Sequence, residues 1–159
     1  ETFLQGLRID PGNPYILINL GKLKLDHDEA EAGLGFLRRA IESRPYFAEP
    51  YLAMGNYFLK TQRHDLALES YRRAAENRPD YPEPLINTGV IYAHQGRYGE
   101  AVKALVGALK IAPADPVANI NLAAAYFFLN DYENAAKYAK IAKGLGADLP
   151  DILRPLAAR

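Results

Sequence analysis

Three histidines are the side chains best suited to proton transfer or metal binding near neutral pH in this chain, which has no cysteine. His27, His64 and His94 are separated by 37 and 30 residues, without the i,i+4 spacing that puts two ligands on one helix face. They read as surface or half-buried histidines, with His94 placed to face a groove. The acidic pair Asp28-Glu29 falls at a helix start, where carboxylates offset the positive end of the macrodipole. Gly144-Leu145-Gly146 ends a helix and lacks the rest of a phosphate-loop fingerprint, and no Gly-x-Ser-x-Gly elbow occurs. Arg38-Arg39 and Arg72-Arg73 recur 34 residues apart, but Val106-Gly107 stands at the next equivalent position, so the pairs read as a solvated face. Without cysteine there is no disulfide, thiolate metal site or thiol nucleophile. No catalytic constellation is found, so the expectation is a non-enzymatic segment without metal or cofactor.

Charge narrows the partners. The 159 residues carry 19 Lys plus Arg against 19 Asp plus Glu, a formal net charge of zero. Nucleic-acid binding and polybasic membrane association both need an electrostatic excess, and neither is expected of this segment. The longest apolar run, Ala123 to Leu129, is far short of the roughly 18 residues that span a bilayer. The first residues, Glu1-Thr2-Phe3-Leu4-Gln5, lack the basic leader and long apolar stretch of a secretory signal. The compartment stays open, with cytoplasm and periplasm both compatible.

The elements that must position any binding residues are written in a repeat. Pro11, Pro45, Pro79 and Pro113 fall 34 residues apart. Gly21, Gly55 and Gly89 keep the same period, with Ala123 next; so do Ala40, Ala74, Ala108 and Ala142, and Gly33, Ala67, Ala101 and Ala135. Each period has two helical halves with a short polar turn between them. Pro14, Pro82 and Pro116 suit the first turn of a helix, while Pro45, Pro79 and Pro113 sit where the second must stop. The small residues have a steric reason: antiparallel helices approach closely where side chains are short, as at Gly21 with Gly33 or Gly55 with Ala67. Helices are predicted near 14–26, 28–43, 48–61, 64–77, 82–95, 98–111, 116–129 and 132–145, with no strand.

These residues resemble the tetratricopeptide repeat family. The second repeat carries the pattern through Tyr51, Met54-Gly55, Phe58, Ala67, Tyr71, Ala74 and Pro79, and the third through Leu85, Gly89, Tyr92, Ala101, Leu105, Ala108 and Pro113. Leu17, Leu20-Gly21, Leu37, Ala40 and Pro45 match in the first, where Lys24 and Gly33 depart. Leu122, Tyr126, Ala135 and Ala142 match in the fourth, where Asn119 and Ala147 depart. The resemblance implies an all-α fold, a right-handed α-solenoid of helical hairpins. Residues 1–12 then form the trailing helix of a preceding repeat. Four repeats follow over 13–147, at about 14–47, 48–81, 82–115 and 116–147, and residues 148–159 make a C-terminal cap. The leading helix is expected to expose Phe3, Leu4, Leu7 or Ile9, and so to support a weak homodimer through residues 1–12.

In a solenoid one face of each first helix lines a concave groove. Its expected residues are Ile18, Asn19 and Lys22 in the first repeat and Leu52, Asn56, Leu59 and Lys60 in the second. Ile86, Asn87, Val90 and His94 continue it in the third, and Ile120, Asn121, Phe127 and Phe128 in the fourth. An asparagine amide both donates and accepts, so spaced asparagines can pair with a peptide backbone while the apolar stripe takes side chains. Asn19, Asn87 and Asn121 resemble the asparagine ladder in the repeats of O-linked N-acetylglucosamine transferases, with Ala53 interrupting it. The basic clamp of chaperone-binding tetratricopeptide domains is not matched, because Ile18, Glu83 and Asn87 occupy its basic slots. The resemblance implies a scaffold that binds an extended or helical peptide of a protein partner. Self-association and the non-catalytic repeat tail of a larger enzyme, such as a glycosyltransferase, are the alternatives.

Overall fold

The computed structural model describes residues 2–158, with side chains from Gln5 onward. The described residues form α1 (Thr2–Ile9), α2 (Pro14–Asp26), α3 (Ala30–Ser43), α4 (Ala48–Lys60), α5 (His64–Asn77), α6 (Pro82–His94), α7 (Tyr98–Ile111), α8 (Pro116–Phe128), α9 (Tyr132–Gly144) and α10 (Arg154–Ala157), with no strand among them. The chain divides into two compact units, Glu1–Pro79 and Asp80–Arg159. In the first, α2 pairs with α3 and α4 with α5; in the second, α6 pairs with α7, α8 with α9, and α10 packs on α9.

Local chemistry explains the boundaries. Pro14, Pro82 and Pro116 each occupy a first helical position. Asn13 and Asp115 cap their helices with side-chain oxygens, Asn13 accepting from the backbone N–H of Tyr15 and Ile16 and Asp115 from that of Ala118. Asn119, which departs from the repeat pattern, is buried and satisfied: its Nδ2 donates to the carbonyls of Pro113 (3.2 Å) and Asp115 (2.8 Å). It therefore ties α8 to the segment that leads into it.

All four hairpin turns use one device. Asp28, Gln62, Gly96 and Asn130 have φ of 60°, 58°, 72° and 60°, again at the 34-residue period. The following N–H reaches back to the carbonyl five residues earlier, as from Arg63 to Phe58 (2.8 Å) and from Arg97 to Tyr92 (2.8 Å). This closes each first helix with a Schellman turn. The left-handed residue also explains the one boundary that moved by two residues: α3 starts at Ala30, not 28, because Asp28 is already committed to the turn. Glycine suits such a position and glutamine does not. Gln62→Gly is accordingly expected to raise stability by about 1 kcal/mol, and Gly96→Ala to lower it by about as much. Urea unfolding monitored by circular dichroism measures both; a fall in midpoint for Gln62→Gly would reject the assignment.

The first unit is built around Leu17, Ile18, Leu25, Leu37, Ala40 and Ala53, with Leu7, Leu34 and Met54 packed against them. Leu7 is thus turned into this core, and of the apolar residues expected at the surface of α1 it is Ile9 that faces solvent, at 88% exposure. The side chains of Phe3 and Leu4 lie outside the described residues. In the second unit one cluster gathers Ile86, Ala101, Leu105, Ala108, Ala118, Leu122 and Ala125, and another gathers Ala123, Ala139, Ala142, Leu149 and Leu153.

The small residues do let helices close up, with one change of partner. A Cβ at Gly21 would come within 3.1 Å of the Gly33 carbonyl oxygen, and one at Gly33 within 2.9 Å of the Gly21 carbonyl oxygen. At Gly55 the close neighbour is the ring of Tyr71, 2.5 Å from where a Cβ would sit, rather than Ala67. Tyr71 is fully buried, so the missing side chain makes room for an aromatic ring as well as for backbone.

A candidate peptide-binding face

In the first unit, α2 and α4 lie side by side and enclose a cleft of about 350 Å³. Leu25 and Ala53 are its apolar residues, and Lys22, Asp26, Asn56, Tyr57 and Lys60 complete its lining. Helical spacing places Lys22, Leu25 and Asp26 on one stripe of α2, and Ala53, Asn56, Tyr57 and Lys60 on one stripe of α4. Among the described residues, Lys22, Asp26 and Lys60 make no ion pair. Two ammonium groups and one carboxylate are therefore available to a ligand beside a small apolar surface.

Asn56 is held from behind. The Tyr71 hydroxyl donates to its Oδ1 at 2.8 Å, and Tyr71 itself is locked in the core against Gly55. A buried side chain on α5 thus sets the rotamer of a residue in the cleft. Tyr71 enters the sequence pattern only as a match to the repeat, and nothing in the spacing pairs it with Asn56.

The structure brings Lys22, Asn56 and Lys60 together in this cleft. Asn19 is exposed, and Leu52 and Leu59 are half-buried. Ile18 is a correction: it is 5% exposed and belongs to the core, so it offers no side chain to a ligand. Ile86 is corrected in the same way, at 5% exposure within the core of the second unit. In that unit Asn87, Val90, Ile120 and Asn121 are half-buried and His94 is exposed. Asn121 donates from Nδ2 to the Val117 carbonyl at 2.9 Å, so its amide is bonded to its own helix. Phe127 packs against the second core cluster of that unit, edge-on to Tyr132 with ring centroids 5.6 Å apart. Phe128 is half-exposed and stacks on Tyr98 at 4.9 Å.

Leu25, Asp26 and Ala53 stand at groove-facing repeat positions without being among the selected site residues, and Tyr57 was not expected in the groove. An i,i+4 step from Lys22 to Asp26 was the available signal. Tyr57 sits between the two faces of α4, and no periodicity assigns it. Among the described residues no group of three or more histidine, cysteine or acidic side chains could hold a metal ion. Among them, too, no helix is long and apolar enough to cross a membrane.

Two family models described as tetratricopeptide repeat match the chain, one over residues 52–116 and the other over residues 92–142, together spanning more than half of it. Comparison with curated proteins gives no match. Among solved structures, a crystal structure of MamA superposes with a TM-score of 0.77 at 23% identity, over 91% of this chain and 84% of that one. A structure of Pseudomonas aeruginosa pilF superposes with a TM-score of 0.85 at 18% identity, over 98% of this chain and 77% of that one. At these identities the likeness is one of fold.

Proposed function

Because the chain belongs to the tetratricopeptide repeat family, whose repeats mediate contacts between proteins, we propose that it binds an extended or helical peptide segment of a protein partner. The place proposed is, within each unit, the face formed by the first helices of its hairpins, with the α2/α4 cleft as the anchor in the first unit. The carrying observation is the set of Lys22, Asp26 and Lys60, charged and without ion pairs among the described residues, around an Asn56 fixed by Tyr71. Asn56, already held by Tyr71, loses little side-chain entropy on binding. Charges of both signs beside an amide suit a polar peptide whose backbone and side chains both make hydrogen bonds. In the second unit Asn87, Val90, His94, Ile120, Asn121, Phe127 and Phe128 are the proposed counterparts.

Peptides selected from a random display library against the intact chain provide the test. Lys22→Ala and Lys60→Ala are each expected to weaken the selected peptides by about tenfold, the value of a lost charge-assisted hydrogen bond, with thermal stability unchanged. Lys110→Ala, on an exposed part of α7, is the control. Affinities indifferent to both lysines would remove the α2/α4 cleft from the reading.

A further inference from the structure

The first unit has a second cleft, on the other side of α4, between α3 and α5. It encloses about 460 Å³. Its floor is apolar: Leu34 from α3, Tyr51, Met54 and Phe58 from α4, and Leu66 from α5, the last 41% exposed. Three arginines stand around it, Arg38, Arg63 and Arg73, with a single carboxylate, Glu69.

That carboxylate is already taken. Arg72 pairs with Glu69 at 2.6 Å and Arg73 pairs with it at 3.1 Å, and these bonds hold the Glu69 carboxyl down at about 2. Glu69 stays ionised and cannot accept a ligand's proton near neutral pH. Arg63 lies over the Phe58 ring, its guanidinium carbon 5.1 Å from the centroid, which fixes it at the edge of the apolar floor. Arg38 makes no ion pair among the described residues. The cleft thus joins an unfilled apolar floor to an excess of positive charge. Guanidinium groups match carboxylates in shape and hydrogen-bond geometry, so the complementary partner is acidic.

We propose that the α3/α5 cleft is a second binding site, for an acidic peptide segment of another protein that inserts an aliphatic or aromatic side chain between flanking carboxylates. The inserted side chain covers Met54, Phe58 and Leu66, and the carboxylates meet Arg38 and Arg63. The chain then holds two partners at once, one on each side of α4. This site does not depend on the α2/α4 reading, since the two clefts share no lining residue.

The probe is a short fluorescein-labelled peptide with a Leu-Phe pair flanked on both sides by glutamates, titrated with the intact chain and read by anisotropy. Saturable binding is expected, lost when lysines replace the glutamates or alanines replace the Leu-Phe pair. Arg38→Glu and Arg63→Glu are each expected to weaken it by about tenfold or more, since like charges then face each other across the cleft. Both arginines are exposed, and an unchanged far-ultraviolet spectrum verifies folding. Lys110→Glu, with the same change in net charge, should leave affinity unaltered. Lack of saturation at millimolar peptide, equal binding of the lysine-flanked peptide, or indifference to Arg38→Glu would overturn the site. Loss of binding in Lys22→Ala with none in Arg38→Glu would move the peptide to the α2/α4 face. Self-association or binding to phosphatidylserine vesicles that disappears in Arg38→Glu, without binding of the acidic peptide, would replace the partner with a second copy or a lipid surface.

Discussion

Ile86→Asp is expected to cost about 4 kcal/mol or more and to unfold the second unit under conditions where the parent chain is folded. Ile86 is buried among Ala101, Leu105, Ala108, Ala118, Leu122 and Ala125. Removing its side chain forfeits about 1.5–3 kcal/mol of burial, and the void left among these neighbours on α7 and α8 adds to this. The new carboxylate then has to be desolvated, protonate, or open the core to water, each at further cost. Against a total stability of about 5–15 kcal/mol for a domain, such a loss decides whether the unit folds. Ile86→Val, which keeps the shape and removes one methyl group, should cost only about 0.5–1.5 kcal/mol. Urea titrations followed by circular dichroism give both values. An Ile86→Asp chain with the parent midpoint would mean that this side chain faces solvent, and would return Ile86 to the proposed binding face.

Gly33→Ala and Gly35→Ala should move stability in opposite directions, although both lie in α3 and only two residues apart. In an open helical position, alanine in place of glycine gains about 0.5–1 kcal/mol, because the unfolded chain loses freedom. Gly35 is such a position, with nothing within 4 Å of where its Cβ would sit. At Gly33 the same gain is opposed by contacts at 2.6 Å with Leu25 and 2.9 Å with the carbonyl oxygen of Gly21. Leu25 can turn aside, but the carbonyl belongs to the backbone of α2, so the two helices must separate. Overpacking of this kind costs about 1–3 kcal/mol, more than propensity returns, and the net effect should be a loss. Leu25 also lines the α2/α4 cleft, so under the proposed function Gly33→Ala should weaken peptides selected for that cleft. Thermal melts of the two variants decide the matter: a stabilised Gly33→Ala chain would show that the α2–α3 approach is looser than its geometry.

Helix identity, order and number from α2 to α9 were readable because their determinants are local and repeated. Proline at a first helical position, proline after a second helix and a small residue at each crossing act within one hairpin, and the 34-residue period writes them several times over. The left-handed turn residues keep the same period, and Gly96, Asn130 and Asp28 are of types that favour it. Gln62 adopts that conformation because the hairpin closes around it, and nothing in its own chemistry announces it.

The candidate site was legible to the extent that it follows helix direction. A 100° turn per residue places Lys22, Asn56 and Lys60 on the groove-facing stripes, and the structure gathers them in one cleft. Direction does not say what lies opposite. Ile18, Leu52, Ile86 and Ile120 share one position in the repeat, but Ile18 and Ile86 are buried while Leu52 and Ile120 are half-buried. The difference arises from neighbouring helices: Ala53 of α4 shares a core with Ile18, and Ala118 and Leu122 of α8 share one with Ile86. The hydroxyl of Tyr71 on Asn56 is of the same kind, a contact across 15 residues that requires Gly55 to admit the ring. The sequence alone determined the hairpins, their register and the residue types along each face, since backbone sterics and helical period act over a few residues. Which of those side chains are buried, which are held in a fixed rotamer, and where two helices leave a cleft between them was decided only by tertiary packing, because close-packed neighbours come from helices distant in sequence.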